Sequence, residues 1–143
     1  MIRDLATELA VVLESAELGL ARPPTPGANL FTAPLPESDG DVPERVVALV
    51  VTGGAGPLPY LGPGRVAYLS PGCQVRIRSA REDFQGGQQL AHSLFEVLHQ
   101  TQLVPSVTVR AEESVPVYLG TDRMDRHRWM LNLALRYLDV LGV

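Results

Sequence analysis

Lysine is absent from this chain: all twelve of its basic residues are arginine, against sixteen Asp and Glu, which leaves a net charge of −4. Proteins that bind nucleic acid through phosphate contacts need clustered cations, so the acidic balance argues against that class. The single cysteine, Cys73, excludes an internal disulfide and a cysteine-rich metal site. No apolar run approaches the roughly 18 residues that cross a bilayer. Residues 1–4 lack the regions of a signal peptide, so we expect a soluble, intracellular protein.

The overall composition is that of a folded globular protein. Hydrophobic residues make up 45% of the chain and charged residues 20%, which is typical of a packed core rather than of disorder. A length of 143 residues corresponds to about one ordinary domain. We predict a single domain over residues 1–143.

Two segments have the spacing of amphipathic helices. Residues 2–17 place apolar side chains at helical intervals, with Asp4 and Glu8 near the positive end of the helix dipole. In the second segment, Ser79 and Glu82 have the spacing of a capping box, which predicts a helix over residues 80 to about 102. Gly86 and Gly87 early in that helix suggest either a close approach to a neighbouring backbone or fraying.

Six segments are predicted as strands: a short edge strand at 29–32, a buried strand at 45–52, and further strands at 74–79, 106–110, 114–118 and 126–137. The last is ambiguous, because a helix can be drawn through Met124, Leu131, Leu135 and Leu138. Uninterrupted alternation from Trp129 onward favours a strand. Between the second and third strands, residues 53–72 are rich in glycine and proline, which predicts a long loop.

The predicted order of elements indicates an α+β fold. Two helices interleaved with strands suggest an antiparallel or mixed β-sheet with both helices packed on one face. The expected architecture is thus one α+β domain with a Pro/Gly-rich loop at 53–72.

The search for catalytic or ligand-binding chemistry finds no convincing constellation. His92 and His99 are seven residues apart, whereas a chelating helical pair needs a spacing of three or four. Glu112 and Glu113 are consecutive and would point to opposite faces of a strand. The glycines at 53–56 lack a phosphate-loop pattern, and Cys73 has no companion that would mark it as a nucleophile. We predict no catalytic residues, no cofactor and no metal site.

Aromatic and arginine residues suggest a surface that contacts protein. Trp129 and three tyrosines, Tyr60, Tyr68 and Tyr118, belong to residue types enriched in interfaces. Arg123, Arg126 and Arg128 cluster around Asp122 and Asp125. Two interpretations remain open for this cluster: a solvated turn, or ion pairs between subunits, for which arginine is suited by its bidentate geometry. The candidate interface comprises Tyr60, Tyr68, Tyr118, Asp122, Arg123, Arg126 and Arg128.

Several short motifs, taken together with a helical start, resemble a known family. They are Gly-Ala-Asn-Leu-Phe at 27–31 with Pro-Leu-Pro-Glu at 34–37, Thr-Gly-Gly at 52–54, Val-Arg-Ile-Arg at 75–78, Tyr-Leu-Gly-Thr-Asp-Arg at 118–123, and Arg-His at 126–127 before an amphipathic strand. This arrangement resembles the tail-terminator and minor capsid (head–tail joining, tail-completion) proteins of long-tailed bacteriophages. The similarity covers most of the chain, although the 53–72 segment departs from it.

The resemblance implies a structural virion protein without cofactor or catalytic residues. Its subunits would form a ring, commonly six-fold, that caps the tail tube and joins it to the head-side connector or stopper protein. DNA would pass through the ring without sequence-specific contact and no membrane would be involved. The protein would be located in the tail or neck of the virion after assembly in the host cytoplasm. By position, the 53–72 segment and the 120–128 turn are the expected ring or partner contacts. Changing Arg126 and Arg128 to Glu should then prevent assembly and leave the monomer folded.

Two other functions remain open from the residues alone. One is a small cytoplasmic protein that binds a ligand in an apolar pocket between sheet and helices. The other is an uncharacterised enzyme, for which no residues can be named.

Overall fold

One mixed β-sheet with two helices forms the α+β fold seen in the computed structural model, which describes residues 3–36, 42–59, 66–103 and 106–140. Within these residues the elements follow in the order α1 (Leu5–Ser15), β1 (Leu30–Phe31), β2 (Val46–Pro59), β3 (Val66–Ser79), α2 (Phe84–Leu98), β4 (Gln102–Leu103), β5 (Val107–Ala111), β6 (Val117–Thr121) and β7 (His127–Val140). The predicted α+β class is confirmed, and the sheet is mixed rather than purely antiparallel.

The sheet has the strand order β1-β2-β3-β7-β5-β4, with β6 also paired to β7. Only β1 and β2 are parallel, and the other pairs are antiparallel. The fourteen-residue β7 pairs along one edge with β3 from Val66 to Ser79, and along its other edge first with β6 and then with β5. β7 is therefore the strand to which most of the sheet is attached.

Alternation along β7 separates a buried side from an accessible one. Trp129, Leu131, Leu133, Leu135 and Tyr137 are buried, whereas the residues between them are half-buried or exposed. They form one apolar cluster with residues from β2, β3 and both helices. Each fully buried leucine contributes about 1.5–3 kcal/mol of transfer free energy. The strand predicted at 126–137 is confirmed, with bounds His127–Val140. A helix would have carried part of this set of buried side chains to the solvent.

The second helix begins later than predicted, at Phe84. Its N-cap is Asp83, whose side chain accepts the backbone N–H of Gly86 at 3.1 Å. The capping-box prediction for Ser79 and Glu82 was therefore wrong: Ser79 is the last residue of β3, and its hydroxyl donates to the Asp83 carbonyl at 2.8 Å. Asp83 also forms an ion pair with Arg45, next to β2, so a contact between distant parts of the chain holds the start of the helix.

The loop predicted at 53–72 is wrong for the residues that the structure describes there. Residues 53–59 continue β2 and residues 66–72 continue β3, with register shifts after Thr52 and Ala55. Gly54 has φ +67°, and a Cβ there would lie 2.0 Å from the Ser70 carbonyl oxygen. Gly54 thus permits a bulged, closely paired ladder between β2 and β3. We call this paired segment, residues 53–59 and 66–72, the ribbon.

Small differences remain at the other elements. The helix predicted over residues 2–17 spans Leu5–Ser15, with Asp4 as its N-cap. The strand predicted at 114–118 begins only at Val117, after Pro116, which cannot donate a ladder hydrogen bond. Among the described residues, no helix is both long and apolar enough to cross a membrane.

Candidate functional site

Asp122 organises the turn between β6 and β7. Its Oδ1 accepts the backbone N–H groups of Met124, at 2.8 Å, and of Arg126, at 3.0 Å. Its Oδ2 accepts the Nε–H of Arg126 at 2.8 Å. The Asp122 N–H in turn donates to the Arg126 carbonyl at 3.0 Å. The turn is therefore closed by hydrogen bonds among its own residues.

Burial and hydrogen bonding act in opposite directions on the Asp122 carboxyl. Burial disfavours its charged form, but the backbone N–H groups of Arg126 and Met124, together with the Arg126 guanidinium, outweigh this and lower the pKa of Asp122. Arg126 is only 5% exposed. Asp122 and Arg126 thus pair within the subunit, whereas Arg123 and Asp125 of the same turn are exposed. Ion pairing between subunits stays a prediction for the exposed residues. Because Arg126 is buried and paired with Asp122, we expect Arg126→Glu to destabilise the turn in addition to any effect on assembly.

Arg123 and Arg128 have different environments. Arg123 is exposed in the turn, next to Met124, which is 68% exposed. Arg128 is half-buried on β7, and its Nη2 donates to the Thr121 carbonyl at 3.1 Å. Its Nε is buried without a hydrogen-bond partner. Of the charged candidate residues, Arg123 is the one that remains fully accessible to a partner.

Tyr118 belongs to an aromatic cluster that joins β6, β7 and the start of α2. Its ring centroid lies 5.3 Å from that of Phe84 and 5.4 Å from that of Trp129. The Tyr118 hydroxyl lies 2.8 Å from Nδ1 of His127, whose Nε2 lies 2.9 Å from the Arg81 carbonyl. Because a carbonyl only accepts, Nε2 donates a proton in this contact. Tyr118 is nevertheless 43% exposed, so one side of it remains available.

Trp129 is a core residue and not part of an exposed interface. It is 2% exposed, and α2 lies directly against it at Gly87. A Cβ at Gly87 would lie 2.5 Å from two atoms of the indole and 2.6 Å from the Cβ of Ser79. The close approach considered for the glycine pair is therefore found at Gly87, against side chains rather than a backbone.

Tyr68 lies in an apolar row at the far end of the sheet. It pairs with Leu58 on β2 and with Leu138 on β7, so the three side chains lie side by side on one face. Leu58 is 60% exposed, Leu138 is 49% exposed and Tyr68 is half-buried. We call these three residues the apolar row. Tyr60, the remaining tyrosine of the candidate interface, lies outside the described residues.

The residues considered for chemistry serve structural purposes or lie on the surface. His92 is exposed on α2, and Nδ1 of His99 accepts the Ala111 N–H at 3.0 Å. Burial raises the pKa of the Cys73 thiol to about 12, which opposes thiolate formation. Within the described ranges, no group of three or more His, Cys, Asp or Glu side chains is arranged to hold a metal ion.

No protein-family model matches this chain, and no curated protein matches it.

The residues of the candidate interface separate into two groups. Tyr118, Asp122, Arg123, Arg126 and Arg128 lie around the start of β7, whereas Tyr68 pairs with Leu138 near its end. Ten residues of strand separate Arg128 from Leu138, which is about 30 Å. Leu138 was not predicted from the sequence, whereas Leu58 and His127 lie within the 53–72 segment and the 120–128 turn expected to make contacts, without being singled out there. The alternation that places His127 on the same face as Trp129 was visible in the sequence, but the cross-strand register that brings Leu58 and Leu138 to Tyr68 was not.

Proposed function

We propose that this protein is a structural subunit of a ring, commonly six-fold, at the head–tail junction of a long-tailed bacteriophage, as a tail terminator or head–tail joining protein. It would cap the tail tube and connect it to the head-side connector or stopper. DNA would pass through the ring without sequence-specific contact. The proposal is supported by the sequence motifs at 27–37, 52–54, 75–78 and 118–127, together with the exposed side chains of the apolar row.

The observation that carries the proposal is the apolar row. A monomer that exposes Leu58 and Leu138 on the two strands flanking β3, with Tyr68 between them, leaves adjoining apolar area in water. Covering this area with a neighbouring subunit gains about 25 cal/mol for each Å² removed from solvent. The edge of the ribbon is poorly suited to strand addition, because Pro57 cannot donate a hydrogen bond and the register shifts disrupt the ladder. The favoured contact is therefore side-chain packing against the face of the ribbon that carries the apolar row.

A ring needs two different contact surfaces on each subunit, because heterologous head-to-tail contacts close a cycle. The apolar row and the β6–β7 turn, with exposed Arg123 and Met124, lie at opposite ends of β7. This separation supports a subunit whose two ends meet different neighbours.

We also retain the expectation that both helices lie on one face of the sheet, since they share one buried cluster. The place of the protein would be the virion tail or neck, assembled in the host cytoplasm.

Native mass spectrometry followed by negative-stain imaging tests the proposal. We expect the wild type to form closed rings, alone or on tail tubes assembled from the cognate tube protein. The double variant Leu58→Glu/Leu138→Glu should remain monomeric with an unchanged melting temperature, because both side chains are already exposed. Val115→Glu is the matched control, since Val115 is 55% exposed but lies outside the ribbon. A wild type that neither assembles nor binds tubes contradicts the proposal, as does normal assembly by the double variant.

A further inference from the structure

Five arginines lie on the side of the sheet opposite the buried cluster. Arg78 is buried there and donates to the carbonyls of Pro43 and Glu44, whereas the other four are at least partly exposed. In the register of β3, β7 and β5, Arg76, Arg110, Arg128 and Arg136 alternate with the buried residues of their strands, as do Gln74 and Asn132 between them. Cross-strand partners share a face, so these six side chains form one surface. We call it the open face. No Asp or Glu belongs to the described strand positions on this face. Glu113, which follows β5, brings a carboxylate to the face, because it accepts the side-chain N–H of Asn132 at 3.3 Å.

Five arginines elsewhere in the chain form ion pairs with carboxylates. The described ion pairs are Arg3–Glu8, Arg22–Glu14, Arg45–Asp83, Arg81–Asp125 and Arg126–Asp122. On the open face, Arg76 instead donates to the Gln74 side chain at 3.1 Å, and Arg128 donates to carbonyls of β6. For Arg110 and Arg136, neither an ion pair nor a side-chain hydrogen bond occurs within the described ranges. The chain has more acidic than basic residues, yet Arg76, Arg110, Arg128 and Arg136 form no ion pair with a carboxylate among the described residues.

A depression of about 460 Å³ lies between these two arginines. Arg110 pairs with Ala134 and Arg136 with Thr108, so the charged side chains lie diagonally across a small alanine. Gln100 and Gln102 complete the lining. A carboxylate entering this depression meets two guanidinium groups, and neighbouring amide side chains offer donors and acceptors to a peptide backbone.

The surroundings favour an acidic protein segment over nucleic acid. Single-stranded nucleic acid is held by aromatic rings on which bases stack. Among the described strand residues on the open-face side, the aromatic side chains are Tyr68, in the apolar row, and the half-buried Phe31, on the edge strand β1, and neither of them lines the depression. The net charge of −4 also opposes a long polyanion such as duplex DNA. A protein segment that carries a few carboxylates avoids both penalties.

We propose that the open face is a docking surface for an acidic segment of a partner protein, whose carboxylates are bound by Arg110 and Arg136. The occupant to which we commit is a different protein, on the complementarity of its carboxylates to Arg110 and Arg136, and a second copy of this chain is an outcome of the test below. The inference does not depend on the ring, since the apolar row and the open-face arginines can be tested separately.

Fluorescence anisotropy at low salt tests the assignment, with a labelled decaglutamate peptide as probe and a ten-nucleotide oligothymidylate as comparison. The wild type should bind the peptide more tightly than the oligonucleotide. Arg110→Gln/Arg136→Gln should weaken peptide binding by about tenfold, the loss expected for two partly solvated charge contacts. Melting temperatures show whether both proteins are folded.

The matched control is Arg22→Gln/Arg81→Gln, which changes the net charge equally but lies away from the open face. It should change peptide binding less than twofold. An equal loss of peptide affinity in the control would show that binding depends only on the overall charge, and would overturn the docking surface. Tighter binding of the oligonucleotide would assign nucleic acid instead, and no binding of the peptide would remove the site. Self-association of the wild type that Arg110→Gln/Arg136→Gln abolishes would make the occupant a second copy.

Discussion

Replacing Gly87 with alanine tests how closely the second helix lies against the sheet. The new methyl group would lie 2.5 Å from two indole atoms of Trp129 and 2.6 Å from the Cβ of Ser79. Trp129 is 2% exposed and Ser79 is fully buried at the end of β3, so neither has open space to move into. The helix, the strand or the indole must therefore shift.

The expected cost follows from two opposing terms. Forcing a methyl group into a filled core costs about 1–3 kcal/mol, and three contacts this short place the cost at the upper end. Alanine recovers about 1 kcal/mol through its higher helix propensity. The net destabilisation is about 2 kcal/mol, which lowers the melting temperature by roughly 8 °C for a chain of this length.

Urea unfolding and thermal melting of Gly87→Ala measure this cost directly. Gly86→Ala is the matched control: a Cβ there meets the ends of the Arg45 and Asp83 side chains, whose displacement weakens the helix cap by about 1 kcal/mol, a loss that the higher helix propensity of alanine offsets. Its stability should remain within about 1 kcal/mol of wild type. Combining Gly87→Ala with Trp129→Phe should cost less than the sum of the single changes, because the phenyl ring lacks the atoms that collide. A Gly87→Ala protein as stable as wild type would refute the close packing of α2 on Trp129.

Two further predictions concern titratable groups. The folded-state pKa of Asp122 is lowered, so its stabilisation is present above the unfolded pKa, near 4, and is lost as the pH falls through the folded value. The difference in melting temperature between wild type and Asp122→Asn should therefore be largest near pH 6 and shrink toward pH 3; a constant difference would contradict the assignment. Cys73 is 1% exposed with a pKa of about 12, which reduces its thiolate fraction roughly a thousandfold relative to an ordinary thiol. Native protein should resist a thiol reagent at pH 8 that labels it rapidly in urea, and rapid labelling without denaturant would show that the site opens.

The elements best predicted from sequence are those whose pattern lies within one segment. Alternation through Leu131, Leu133 and Leu135 indicated β7, and the apolar run over residues 46–49 indicated a buried strand. A period of two places every second side chain on the same side, and only a strand buries such a row. These features depend on neighbours in the sequence, which are visible without the fold.

The start of α2 was mispredicted because a distant residue decides it. Ser79 and Glu82 satisfy the local rule for a capping box, but Ser79 remains in β3 through its pairing with His127. Asp83 then becomes the cap, held by Arg45, 38 residues earlier in the chain. The residue that caps the helix is therefore the one whose side chain also has a partner elsewhere in the fold.

Pairing across the sheet also decided the ribbon and the candidate surfaces. Glycine and proline at 53–72 favour a loop by local preference, yet β7 provides hydrogen-bonding partners for β3 as far as Val66. The same pairing brings Leu58, Tyr68 and Leu138 together and places Arg110 and Arg136 around one depression. Periodicity tells which side chains of a strand share a face, because that is a property of the local backbone. Which strands are neighbours, and in which register, depends on contacts between residues far apart in the chain, and these arise only when the whole core packs.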